Sequence, residues 1–193
     1  KRDQFTINIS NRKIVQGLID ELKITEDKKL KVIRAIDKLD KPGFGLKGVE
    51  DLLKKERIDK SGAVTKGADL TDSQVLQILN FLKTKNLNQL KENLKNPLSQ
   101  EGIKELEQVI EVLSYGPNLN QVKMNLTIVR GLAYYSDFIV ETNLSFKVKN
   151  IKGKEVDIGS ICSGGAYSKL ISRFRGVDIP GTGISFGVDR LVF

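Results

Sequence analysis

The chain contains no histidine and a single cysteine in 193 residues. The absence of histidine removes the commonest general base and the commonest metal ligand together. With Cys162 as the sole cysteine, no internal disulfide can form and a zinc site is not expected. A lone cysteine is more often a small buried hydrophobe than a nucleophile, and that is the role expected of Cys162. No stretch approaches the ~18–20 apolar residues of a membrane span. No charged-then-apolar leader opens the sequence, so a cytoplasmic location without membrane partners is expected. Chemistry here must rest on Arg, Lys, Tyr, Asp and Glu, or on the substrate itself.

What is present reads as an ordinary folded chain. The hydrophobic fraction of 39% and charged fraction of 29% are those of a globular domain with a real core. The net charge is +8, with ten Lys/Arg against six Asp/Glu in residues 121–193 and 22 against 18 in residues 1–120. Each part therefore carries +4. Such a spread fits attraction to a polyanion, and equally a solvated surface.

Hydrophobic periodicity divides the chain in three. Phe5, Ile7 and Ile9 alternate in "QFTINI", a short strand. From about 11 to 116 the period is helical, with about six amphipathic segments. One of these opens with Thr71 and Gln74 at the spacing of a capping box. From 121 onward period two returns. Val122, Met124, Leu126 and Ile128 share one parity. Phe138, Val140, Thr142, Leu144, Phe146 and Val148 form the expected inner face of a second strand. "VDIGSICSGG" reads as a third, "AYSKLISRFRG" as a helix, and "TGISFGV" as a fourth strand entering "DRLVF".

Several short motifs carry chemistry. "GFGLKG" at 43–48 matches a dinucleotide fingerprint, but a helix pattern and Pro42 precede it where a strand is required. A helix–loop–helix is expected there. If the 122–128 strand continues, parity places Arg130 on the apolar face. A buried guanidinium needs an anion, which leaves two readings: a structural ion pair, for instance with Glu141, or a cleft for a substrate phosphate or carboxylate. Tyr134 and Tyr135 point to opposite faces in extended chain. "SGGAY" at 163–167 sets two glycines between strand and helix, where a ligand can approach the backbone, with Tyr167 in the first helical turn. Arg190 falls in the first turn of the last helix, where the dipole disfavours it unless an anion binds there too.

Taken together, "VRGLAYYSDFIVE", "CSGGAYSKL" and "GTGISFGVDRL" resemble, in order and spacing, the catalytic domain of the histidyl-tRNA synthetase family of class II aminoacyl-tRNA synthetases. The first resembles the histidine-specific motif R-G-L-D-Y-Y-T-G-x-V-F-E. The second resembles a G-G-R-Y-D-x-L segment, and the third is similar to class II motif 3. The resemblance implies an α+β fold: part of a class II synthetase-type antiparallel β-sheet with flanking helices, plus an all-helical insertion. It implies that residues 1–22 begin a partial catalytic domain, 23–118 form the insertion and 119–193 the remainder. It further implies that Arg130 contacts the α-phosphate of ATP and stabilises charge as the histidine carboxylate attacks. Tyr134, Tyr135, Gly164, Gly165 and Tyr167 would surround the histidine substrate. Gly187 and Arg190, with Arg130, would bind ATP. Magnesium is expected with ATP, and no protein metal site is identifiable. Histidine, ATP and tRNA(His) are the implied partners, in a homodimer.

Four positions depart from the family pattern: Ala133, Asp137, Ala166 and Ser168. Losing both Arg and Asp from the second segment is neutral if those two pair with each other. Asp137 adds a negative charge near a phosphate site, unfavourable unless it faces solvent or a cation. Motifs 1 and 2 and an anticodon-binding domain are not seen, so the chain alone is not expected to aminoacylate. The alternative is a synthetase-like regulatory subunit of ATP phosphoribosyltransferase, which shares the fold and tolerates eroded motifs.

Overall fold

The computed structural model describes residues 4–41, 43–58, 62–129, 135–150 and 152–192. Two compact units emerge: residues 1–13 with 104–193, and residues 14–103. The first boundary falls after Lys13 and the second after Ile103.

The first unit is built on a five-stranded sheet. Its strands are β1 (Phe5–Asn11), β4 (Val122–Met124), β5 (Phe138–Leu144), β8 (Ser160–Ala166) and β9 (Thr182–Phe186), in the spatial order β4-β1-β5-β8-β9. β1, β5, β8 and β9 pair antiparallel, whereas β4 lies parallel to β1. Two two-residue strands, β6 (Val148–Lys149) and β7 (Glu155–Val156), make a separate ribbon. Helices α7 (Ser168–Arg175) and α8 (Val188–Leu191) follow β8 and β9.

Strand alternation was a poor guide in two places. The strand expected over 122–128 ends at Met124, because Asn125 turns the chain and its Oδ1 accepts from the Thr127 amide at 3.0 Å. Leu126, Ile128 and Val129 are all buried, so consecutive residues point inward and parity carries no information toward Arg130. In β5 the most buried residue is Ile139, at 2% exposure, which alternation had assigned to the outer face. Phe146, expected inside, is 47% exposed beyond the end of the strand. Both faces of β5 are partly covered, so period two alone cannot tell inside from outside.

The second unit holds most of α1 (Arg12–Glu21), then α2 (Glu26–Ile36), α3 (Gly45–Leu53), α4 (Asp72–Lys83), α5 (Leu87–Asn93) and the first turns of α6 (Pro97–Ser114). Apolar stripes bury Ile14, Val32, Ile36, Leu53, Ile78 and Ile103 at 0% exposure. The capping box opens α4: the Gln74 amide donates to Thr71 Oγ1 at 3.3 Å and the Thr71 amide to Gln74 Oε1 at 3.0 Å. Gly17 lets α1 approach α6 closely, since a Cβ there would lie 2.6 Å from the Ser99 amide nitrogen.

Residues 23–118, expected to form an all-helical insertion, also hold strands. β2 (Glu56–Ile58) and β3 (Val64–Lys66) form an antiparallel ribbon. Five of its six residues are exposed, so no burial alternation marks it in the sequence. "GFGLKG" lies between α2 and α3, with Gly43 and Gly45 at φ +79° and +56°. The Phe44 ring packs under the Arg57 guanidinium, 3.9 Å from centroid. This is the helix–loop–helix expected.

Candidate active site

One face of the sheet carries the candidate site. Register pairs Gly165 of β8 with Gly183 of β9, and Ser163 with Ser185, while Glu141 of β5 lies opposite Ser163. Successive strands thus align a glycine floor beside a row of small and acidic side chains.

Two tyrosines lie over that floor. A Cβ on Gly165 would come within 2.9 Å of Tyr135 Cδ1, and one on Gly183 within 2.5 Å of Tyr167 Oη. Only glycine allows rings this close to the backbone. Tyr167 is the N-cap residue of α7 and its amide donates to the Gly181 carbonyl at 2.8 Å. That bond turns its ring back across Gly181 and Gly183, rather than away along the helix. Gly164 faces the other side of the sheet, against the backbone of Gly183 and Ile184.

A cavity of about 310 Å³ adjoins the floor, lined among others by Tyr135, Glu141, Ser163, Gly187 and Arg190. It brings the tyrosine segment and the last glycine-rich segment to one space. Arg190 Nη1 donates to the Ser160 carbonyl, which folds the guanidinium back against β8. Arg190 lies in α8, Val188–Leu191, with Gly187 as its N-cap residue. The placement of Arg190 comes from β8 and Gly187.

Of the other site residues read from the sequence, Arg130 and Tyr134 lie outside the described residues, as does Ala133. Glu141, Ser163 and Ser185 were not singled out as site residues, since alternation had placed Glu141 outside. Asp137 has its cation: Lys13 Nζ is 3.0 Å from Oδ1. Among the described residues no group of three His, Cys, Asp or Glu could hold a metal ion. No described helix is long and apolar enough to cross a membrane.

Cys162, in β8, is 8% exposed, and burial pushes its thiol pKa up because the thiolate would lose solvation. Iodoacetamide is therefore expected to alkylate it more slowly at pH 8.5 than an unfolded-chain cysteine, with the difference abolished in guanidinium. Equal rates would show an accessible thiolate.

The sequence profile of the histidyl-tRNA synthetase family matches residues 1–191. The chain belongs to this family. Histidine–tRNA ligase of Pelagibacter ubique (strain HTCC1062) is 77% identical to it over 193 residues, which cover all of this chain and 42% of that protein. Histidyl-tRNA synthetase from Nostoc sp. PCC 7120 superposes with a TM-score of 0.74 at 31% identity, over 98% of this chain and 41% of that one. A protein described as an ATP phosphoribosyltransferase regulatory subunit/histidyl-tRNA synthetase, from Bacillus halodurans, superposes with a TM-score of 0.71 over 97% of this chain and 43% of that one. At 19% identity it speaks for the fold alone. The chain thus spans about two-fifths of the length of these synthetase relatives, and the segments that resemble the family's histidine motif and motif 3 both line the cavity.

Proposed function

We propose that this chain supplies the histidine- and ATP-facing part of a histidine–tRNA ligase. The enzyme would join histidine to ATP as histidyl-adenylate, releasing pyrophosphate, and then pass the histidyl group to tRNA(His). The single observation that carries this reading is the cavity lined by both Tyr135 and Arg190. The 77% identity to a histidine–tRNA ligase favours it over the regulatory-subunit alternative.

The chemistry suits a chain without histidine. The nucleophile is the substrate α-carboxylate, which the neighbouring α-ammonium keeps fully ionised at pH 7. No general base is required. What the protein must supply is placement and positive charge where the α-phosphate gains negative charge. By family resemblance Arg130 takes that role, and Arg190 with Gly187 holds the distal phosphates. Tyr135, over Gly165, and Tyr167, over Gly183, would bracket the imidazole, with Tyr134 beside them and Gly164 contributing backbone alone. A planar guanidinium matches phosphate oxygens two at a time, which a lysine cannot do. Magnesium would enter on the ATP phosphates and neutralise part of their charge. Glu141 is the carboxylate in the cavity lining that fits such an ion.

In this reading residues 1–22 and 119–193 belong to the catalytic domain and 23–118 to its insertion. The intact enzyme would be a cytoplasmic homodimer. The test is histidine-dependent ATP–pyrophosphate exchange in a chimaera, in which this chain replaces the matching 42% of the Pelagibacter ubique ligase. Exchange that requires histidine, followed by charging of tRNA(His), is expected. Loss of exchange in a folded chimaera would refute the reading.

A further inference from the structure

Lys13, near the start of α1, reaches two carboxylates at once. Its Nζ lies 2.5 Å from Glu105 Oε1 and 3.0 Å from Asp137 Oδ1. The three side chains are 17%, 31% and 20% exposed, so water screens them only in part. The other Glu105 oxygen accepts from Asn11 Nδ2 at 2.6 Å, and Asp137 Oδ2 accepts from Ser136 Oγ at 2.5 Å.

The backbone of the same segment is tied at three points. The Arg12 amide donates to the Asp137 carbonyl at 2.9 Å, and Arg12 Nη1 donates to the Tyr135 carbonyl at 2.6 Å. The Ser136 amide donates to the Ala166 carbonyl at 2.9 Å. Every one of these bonds lands on residues 135–137, immediately beside the ring that covers Gly165. The Arg12 guanidinium bond and the Lys13–Asp137 pair are charge-assisted, and such bonds are stronger than neutral ones and resist small displacements. A tyrosine on an irregular segment needs such an outer support to keep one orientation.

We propose that the Lys13–Asp137 pair, seated on Glu105, is a positioning device that holds Tyr135 over Gly165 and thereby sets affinity for the amino-acid substrate. The proposal rests on the histidine-binding reading above. The pair does not touch substrate; it acts through Tyr135. It therefore affects the amino acid and leaves the nucleotide end, where Arg190 lies, alone.

The test uses the same chimaera with Asp137→Ala, the near-isosteric Asp137→Asn, Lys13→Met, and the double variant Lys13→Met/Asp137→Ala. Kinetics are read by pyrophosphate exchange, and backbone opening by hydrogen exchange of peptides covering 135–138. Each single variant is expected to raise the histidine KM roughly five- to tenfold, with the ATP KM within about twofold. The Ser136 amide should exchange several-fold faster. The double variant should be no worse than the worse single one, because it leaves no unpaired charge at Asp137. Unchanged exchange over 135–138 in Asp137→Ala and Asp137→Asn would overturn the proposal. So would a joint rise of both KM values with faster exchange along the whole chain, which marks a merely structural role. If the unsubstituted chimaera lacks pyrophosphate exchange, the ligase reading fails, and hydrogen exchange alone still decides whether the pair holds the segment.

Discussion

Replacing Gly165 with alanine in the chimaera is expected to lower kcat/KM for histidine by roughly 10- to 100-fold, with valine worse. A Cβ at this position would sit 2.5 Å from the Phe138 carbonyl oxygen and 2.9 Å from Tyr135 Cδ1. The first obstacle is backbone, in the strand that pairs with β8, so it cannot rotate out of the way. Either the end of β5 shifts or the Tyr135 ring lifts off the floor. Forcing an extra methyl into packed surroundings costs about 1–3 kcal/mol, and about 1.4 kcal/mol is a factor of ten. Gly116→Ala is the control. A Cβ there meets only the Leu113 carbonyl, at an ordinary 3.4 Å, and activity should not change. Pyrophosphate exchange at varied histidine, with thermal unfolding of the same samples, separates a lost site from a lost fold. Full activity in Gly165→Ala would remove Tyr135 and Gly165 from the site.

Removing the Arg190 guanidinium is expected to cost on the order of 10²–10³ in kcat/KM for ATP, the range seen when a preorganised charge-stabilising donor is deleted. Arg190→Ala loses both the charge and the bond to the Ser160 carbonyl. Arg190→Lys keeps the charge but not the planar fork, and should recover only part of the loss. The effect belongs to the nucleotide: the histidine KM should move far less than the ATP KM. Equal effects on both substrates would point to a collapsed cavity, and no effect would end the assignment of phosphate binding to Arg190.

Much of the scaffold was legible before any coordinates. About six helical segments were expected over 11–116, and six helices lie there among the described residues. The Thr71/Gln74 box and the helix break at Gly43 followed from local rules, because capping and glycine punctuation act over three or four residues. β2 and β3 escaped notice because exposed three-residue strands leave no hydrophobic pattern. The inner face of β5 was misread because period two assumes one wet face and one dry one, and here both are partly covered. The bond that ties Arg190 to the Ser160 carbonyl was not legible, because it joins residues 30 positions apart on different elements.

The sequence by itself determined the family, the sheet-and-helices class, and the residue types any chemistry must use. Those are properties of order, spacing and absence, and they survive without knowing which residues touch. Only the tertiary structure decided which partners meet. Lys13 finds Glu105 92 positions away and Asp137 still further on, and Tyr167 turns over Gly183 because one backbone bond reaches Gly181. Such pairings follow from strand order and register. No local pattern encodes them, because sequence separation says nothing about distance once the chain has folded back on itself.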